Sequence, residues 1–441
     1  MRQTTTRRRF IVEVGGMVVL FGPLLAACGS ATAPTPIPSN VTTPSAALEP
    51  TRPAATANPL LPAATITPVP PAATATAVPT ATKESSPTPV LPTATPAPQG
   101  MSSPDFGVQV FLWGSGMAER DLGLAKSGGF RWVKQSLEWR YIEPHVKGTY
   151  EFNEPDRLVG FAQKLGLKIL ARIDSQPVWT RKDTVFPVNG PPDKVQDYAD
   201  FLHDLATRYK GKIQAYEIWN EPNLAREWGN QPPSPKDYVA LLKAGYTAIK
   251  AADPAAEVIT AGLSPTTASG AIAMPDIDFV TQMYKDGGAK YFDVLGAHGA
   301  GFHAPPEMSP DDVAKDPTMN HGEGSAGRIY CFRHIEDVRK VMVTNGDSAK
   351  RLAILEFGWT TDLRPDSPYK WHAVSEQQQA DYLVGAFTWA QKNWKPWIGT
   401  MSAIYIASPD WTTNDEEYYW SITLPDGTAR LSYKALAAMP K

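Results

Sequence analysis

Cysteine is nearly absent from this chain: there are two in 441 residues, Cys28 and Cys331. So few build no disulfide framework, and no zinc-type Cys/His spacing accompanies them. Charge of one sign is missing as well. The 42 Lys and Arg residues nearly balance 45 Asp and Glu, leaving a net charge of −3, so no broad basic surface is available for nucleic acid. A glycine-rich phosphate loop is lacking. Long apolar runs are wanting too: the segment after Arg9 is broken by Glu13, Gly15, Gly16 and Pro23, a poor fit to a membrane-spanning helix. From Gly29 to Ser103 there is no aromatic residue and only four charges, Glu49, Arg52, Lys83 and Glu84.

What fills that stretch is Ala, Thr, Ser and 17 prolines. Such a composition buries too little apolar surface to offset its ordering entropy, and recurrent proline favours extended polyproline II. Residues 29–103 are therefore expected to be a disordered linker. At about 3.1 Å per residue it reaches on the order of 100–200 Å. Ahead of it, Thr6-Arg7-Arg8-Arg9-Phe10-Ile11 resembles a twin-arginine export signal, with Ile11 and Val12 where Leu and Lys are commoner. Leu25-Ala26-Ala27-Cys28 resembles a bacterial lipobox, which implies a signal peptide over residues 1–28 and a lipid-modified Cys28. The resemblance implies an extracytoplasmic, cell-surface lipoprotein; a plain signal peptide or a short membrane anchor is the alternative. Cys331 reads as a core residue.

The folded part is expected over residues 104–441, a length within the range of (β/α)8 barrels. Short apolar runs alternate with helical patterns, which predicts a single parallel barrel. The strand candidates are Gly107–Trp113, Trp132–Ser136, Leu167–Ile173, Ala215–Asn220, Val258–Gly262, Val294–His298, Leu352–Glu356 and Ser402–Ala407. Between them, apolar residues recur at three- and four-residue spacing, for example in Asp197–Arg208 and Tyr238–Ala251.

Two strand ends stand out. Ile218-Trp219-Asn220-Glu221-Pro222 closes one apolar run with an amide, a carboxylate and a proline that halts the strand. Leu352-Ala353-Ile354-Leu355-Glu356-Phe357-Gly358-Trp359 closes another with a second carboxylate. A strand-end carboxylate can simply cap the next segment, but two at C-terminal mouths suit a pair of catalytic acids. The ordered pair resembles the acid/base and nucleophile strands of the large clan of retaining (β/α)8-barrel glycoside hydrolases, families 39 and 5 within it. Glu356 follows Glu221 by 135 residues, three strand steps with an insertion, since eight units in ~250 residues give roughly 30 per step. Trp139 to Glu143-Pro144, Gly148-Thr149-Tyr150-Glu151-Phe152, and Tyr418 to Leu436 extend the resemblance over nearly the whole domain.

The resemblance implies Glu221 as acid/base, Glu356 as nucleophile and Asn220 as the amide on the sugar 2-hydroxyl, with Glu143 a structural loop residue. It implies a carbohydrate substrate, cleavage of O-glycosidic, β-linked bonds, no cofactor and no metal. The protein is expected to act as a monomer. A neutral acid at working pH needs a raised pKa, which a neighbouring carboxylate supplies. His298, closing its strand, is a candidate to orient the nucleophile or touch sugar, or a buried structural histidine. Lys134, Glu138 and Arg140 stand where the clan often has an arginine, and none is assigned that part. All 13 tryptophans lie beyond residue 103. Trp113, Trp139, Trp179, Trp359 and Trp411 fall near strand ends and are candidate sugar platforms, with core packing the competing use. The stretch from Ala300 to Ile329 is expected to wall the groove. A carbohydrate-binding barrel without catalysis, or a barrel enzyme of another class, stays open on sequence.

If Cys28 carries lipid, Cys28→Ser should release the protein from the membrane fraction and leave turnover of soluble substrates intact. Retention of that variant in membranes would mean an uncleaved helix holds it.

Overall fold

A computed structural model describes residues 100–183 and 188–441. The signal, Cys28 and nearly all of the linker, as read from sequence, lie outside the described residues. Eight parallel strands close into a barrel in sequence order: β1 (Asp105–Gln109), β2 (Trp132–Ser136), β3 (Lys168–Ile173), β4 (Ala215–Ile218), β5 (Glu257–Thr260), β6 (Val294–His298), β7 (Arg351–Phe357) and β8 (Ile398–Ala403). The pairing of Gly107 with Ser402 and Val108 with Ala403 closes β1 onto β8. This is a (β/α)8 barrel, with helices such as Val195–Arg208, Pro235–Ala252 and Glu376–Asn393 packed outside it. The strand candidates match well except at the seam. β1 starts two residues before Gly107 and ends before Trp113, and β8 begins at Ile398, not Ser402.

The period of two along each strand sorts the barrel interior into tiers. Trp132, Leu170, Ala215, Ile259, Val294, Ala353 and Leu355 form one apolar cluster with Met101, apart from the larger cluster between sheet and helices. Full burial of each large side chain stabilises by about 1.5–3 kcal/mol. Two residues further along three of these strands stand Lys134, Arg172 and Glu217. A charged tier thus rests on an apolar floor.

β7 breaks the alternation. Ala353 and Leu355 face the interior cluster, and strict alternation would turn Glu356 out toward the helices. Instead the register shifts between Ala297 and His298 and again between Ile354 and Phe357, so His298 pairs with Glu356. A β-bulge re-aims one side chain in this way. It brings Glu356 into the charged tier beside Lys134.

Candidate active site

The tier is organised by a buried ammonium. Lys134 Nζ lies 2.9 Å from Glu356 Oε1 and 3.2 Å from Glu217 Oε2, with 1% of its side chain exposed. Arg172 adds a second cation, 3.4 Å from Glu356 Oε1 and 2.9 Å from Asp174 Oδ2. Burial pushes the Glu356 carboxyl up, but Lys134, His298 and Arg172 outweigh it and hold the pKa down at about 2. Glu356 is thus a carboxylate at any ordinary pH.

Glu221 is presented by a strained turn. Trp219 and Glu221, both non-glycine, have φ of 74° and 39° on either side of Asn220. The surroundings fix this geometry. Trp219 is fully buried against Tyr198 and Trp228 and donates from its backbone to Ile173 O and from its ring to the Glu227 carbonyl. The Glu221 N–H donates to Gly262 O at 3.0 Å.

His298 links the two carboxylates. Its Nδ1 is 3.1 Å from Glu221 Oε1 and 3.9 Å from Glu356 Oε2. Those two oxygens share a neighbour and so lie within about 7 Å of each other, inside reach of the about 5–5.5 Å spacing of retaining glycosidases and short of most of the ~6.5–9.5 Å inverting range. His298 was expected to orient the nucleophile, to touch sugar or to be a buried structural histidine; it is buried and sits closer to Glu221 than to Glu356. The clearance comes from Gly262, where a Cβ would stand 2.2 Å from the imidazole ring. The same glycine donates its N–H to Glu217 Oε1 at 3.2 Å.

One expectation fails. Burial and the charge of Glu356 do push Glu221 up, but the His298 hydrogen bond and charge, with Arg226, outweigh them and leave it below its ordinary value. Arg226 reaches Glu221 Oε2 at 3.2 Å, and nothing in the strand-end motif announces it.

No family model matches the sequence. Solved structures do. A family 39 glycoside hydrolase from the gut symbiont Bacteroides cellulosilyticus WH2 aligns at 22% identity and a TM-score of 0.56, over 77% of this chain and 64% of that one. A glucosidase from Croceicoccus marinus aligns at 16% and 0.53, over 77% and 67%. GH5_18 from Streptomyces cattleya, solved in complex with GlcNAc, aligns at 15% and 0.54, over 76% and 79%. The likeness is one of fold. The chain spans less than two thirds of the family 39 enzyme's length.

The remaining candidates divide. Asn220 Oδ1 accepts from Arg172 at 3.4 Å, beside the carboxylates. Trp411 is half-buried, edge-on to Phe111 and to Tyr405, whose hydroxyl is pushed up by burial and then by Glu356. Trp113 is half-buried and stacks on the exposed Tyr141. Trp179 is half-buried, its ring N–H on the Glu143 carbonyl. Trp139 and Trp359 are corrections: both are fully buried and leave no face for a sugar. Trp139 packs on Tyr198 and Phe201 and donates to Glu143, the structural use expected of that glutamate; Trp359 donates to Ala304 O. The stretch after β6 forms a packed wall, Phe302 against Tyr330 and Trp371.

The sequence reading left Lys134 unassigned and missed Arg172, Glu217, Arg226 and Glu227. Lys134, Arg172 and Glu217 were legible from strand alternation, each two residues beyond an apolar floor residue. Arg226 and Glu227 follow a loop, where no period applies.

Gly262→Ala should cost about 1–3 kcal/mol in unfolding free energy, since overpacking a rigid site displaces its neighbours. It should also shift the His298 ring resonances. An unchanged spectrum and unchanged stability would contradict the packing described.

Proposed function

We propose that this protein is a retaining glycoside hydrolase acting on β-linked oligo- or polysaccharides by double displacement. The observation that carries the reading is the pair of glutamates at the mouths of β4 and β7, joined through His298, with one of them held ionised by two cations. The fold shared with glycoside hydrolases of families 39 and 5 supports it.

Each residue then has a task that its surroundings suit. Glu356, kept anionic, attacks the anomeric carbon and forms the glycosyl-enzyme. Its charge pairs with Lys134 and Arg172 before the attack, and Glu217 and Asp174 balance those cations once it becomes a neutral ester. Glu221 protonates the departing oxygen and then takes the proton of the water that breaks the ester. Esterification of Glu356 removes a charge that raises the Glu221 pKa, so Glu221 is the more fully ionised when the second step requires a base. The amide of Asn220, its oxygen held by Arg172, is directed to the sugar 2-hydroxyl. Trp411, Trp113 and Trp179 are the platforms with ring surface left to offer.

We further infer that the enzyme works on a tether. The lipobox-like Leu25-Ala26-Ala27-Cys28 and the proline-rich residues 29–103 support a catalytic domain over 104–441 held at a bacterial cell surface.

The two glutamates should be separable by experiment. Glu356→Ala should lose activity on every substrate by orders of magnitude, and azide should then yield the α-configured product from a β-glycoside. Glu221→Ala should keep much of the first step on dinitrophenyl glycosides, stall at deglycosylation, and give β-configured product with azide. Identical behaviour of the two variants, or inverted product from the wild type, would overturn the assignment.

A further inference from the structure

Both oxygens of Glu221 are engaged, Oε1 with His298 Nδ1 at 3.1 Å and Oε2 with the Arg226 guanidinium at 3.2 Å. An acid that protonates a leaving oxygen must yield one of these positions. The two partners are not equally movable. His298 is 6% exposed and its ring lies against Gly262. The Arg226 side chain is 60% exposed, and so its ion pair is screened and readily exchanged.

The backbone beneath Arg226 is pinned, so the side chain alone can swing. Ala225 N donates to Ile272 O, and Leu224 bridges to Ala273. Asn223 bonds the Ser264 and Met274 carbonyls. A second carboxyl waits beside the guanidinium: Glu227 Oε1 is 3.9 Å from Arg226 Nε, and Glu227 Oε2 accepts from Asn189 Nδ2 at 3.0 Å.

We propose, on the glycoside hydrolase reading above, that Arg226 is a displaceable counter-ion: the leaving-group side of the substrate takes over Glu221 Oε2, and the guanidinium closes onto Glu227. Arg226 and Glu227 are then positioning residues that set when Glu221 is acid and when it is base. The charged and titratable groups facing Glu221 are His298 from β6, Glu356 from β7, and Arg226 and Glu227 from its own loop. Those facing Glu227 are Glu221, Asp174, Arg226 and, from β3, Arg172. Tyr369 and Glu416 face Arg226 from the far side.

Charge conservation favours the exchange. Burial, then the neighbouring Glu221, push the Glu227 carboxyl up to about 7, so it is a half-buried acid whose cation stands off at 3.9 Å. Full approach of Arg226 lets Glu227 ionise, and its departure frees Glu221 from one of the groups that holds it low. Glu227 loses the proton that Glu221 gains, and no external acid enters the balance. When the leaving group departs, Arg226 returns to Oε2 and favours the carboxylate that deglycosylation needs.

Arg226→Gln, Glu227→Gln and the double variant test this. Glu221, followed by carbon-detected NMR of labelled glutamate, should titrate higher in Arg226→Gln than in wild type by roughly one pH unit, and the basic limb of kcat/KM should move with it. Glu227→Gln should lower kcat/KM for glycosides with poor leaving groups on the order of tenfold to a hundredfold, sparing dinitrophenyl glycosides that need no proton. Adding Arg226→Gln to Glu227→Gln should restore much of that loss, which a structural role for either side chain would not do. A double variant no better than Glu227→Gln, or a Glu221 titration indifferent to Arg226, overturns the proposal. If the wild type cleaves no glycoside, the functional reading fails, and the NMR titration alone decides whether Arg226 is the counter-ion of Glu221.

Discussion

A single ammonium, Lys134, holds this site together. It is almost wholly buried between Glu217 and Glu356, and a buried charge persists only where partners compensate for its lost hydration. Removing either carboxylate would leave the cation underpaired, and removing the lysine would leave two carboxylates facing each other beside a third acid. The position of Lys134 is itself dictated from below. Trp132 anchors β2 in the apolar floor, its ring N–H on Asp105, and alternation then points Lys134 into the barrel. Fold and chemistry meet at that one residue.

From this constraint follows an asymmetry between the two strand-end glutamates. Glu356 is surrounded by fixed cations on β2 and β3 and has one protonation state across ordinary pH. Glu221 stands beyond the strand end, on a strained turn, with one fixed partner and one exposed partner. The first arrangement suits a nucleophile, whose charge must be present before substrate arrives. The second suits a group that must change state twice in each turnover. Environment, not residue type, sets the two glutamates apart.

Much of the fold was legible because the barrel's periodicities are strong. Six strand candidates fell within about two residues of the observed strands, and Trp132–Ser136 and Val294–His298 matched outright. The seam was harder, since Phe111-Leu112-Trp113 and Ile404 to Ala407 are apolar without being strand; Leu112 and Ile406 join the core cluster, and Phe111 meets Tyr405 edge-on. At the site, the Glu221 and Glu356 motifs were readable, but the β7 bulge was not: counting by twos from Ala353 turns Glu356 the wrong way. The tryptophans show a different limit. Near a strand end, Trp359 under the β6 loop and Trp411 at the rim look alike in sequence, and only the loops above them decide which is covered.

On the proposed mechanism, Glu356 attacks carbon and becomes covalently glycosylated. The direct measurement is peptide mass spectrometry after incubation with a panel of dinitrophenyl 2-deoxy-2-fluoro-β-glycosides, whose fluorine slows both steps while the activated leaving group keeps formation of the ester faster than its hydrolysis. The account predicts a single glycosyl adduct on Glu356, released with time as activity returns. An adduct on Glu221, Glu227 or any other carboxyl, or turnover by the wild type with inverted configuration, would contradict it.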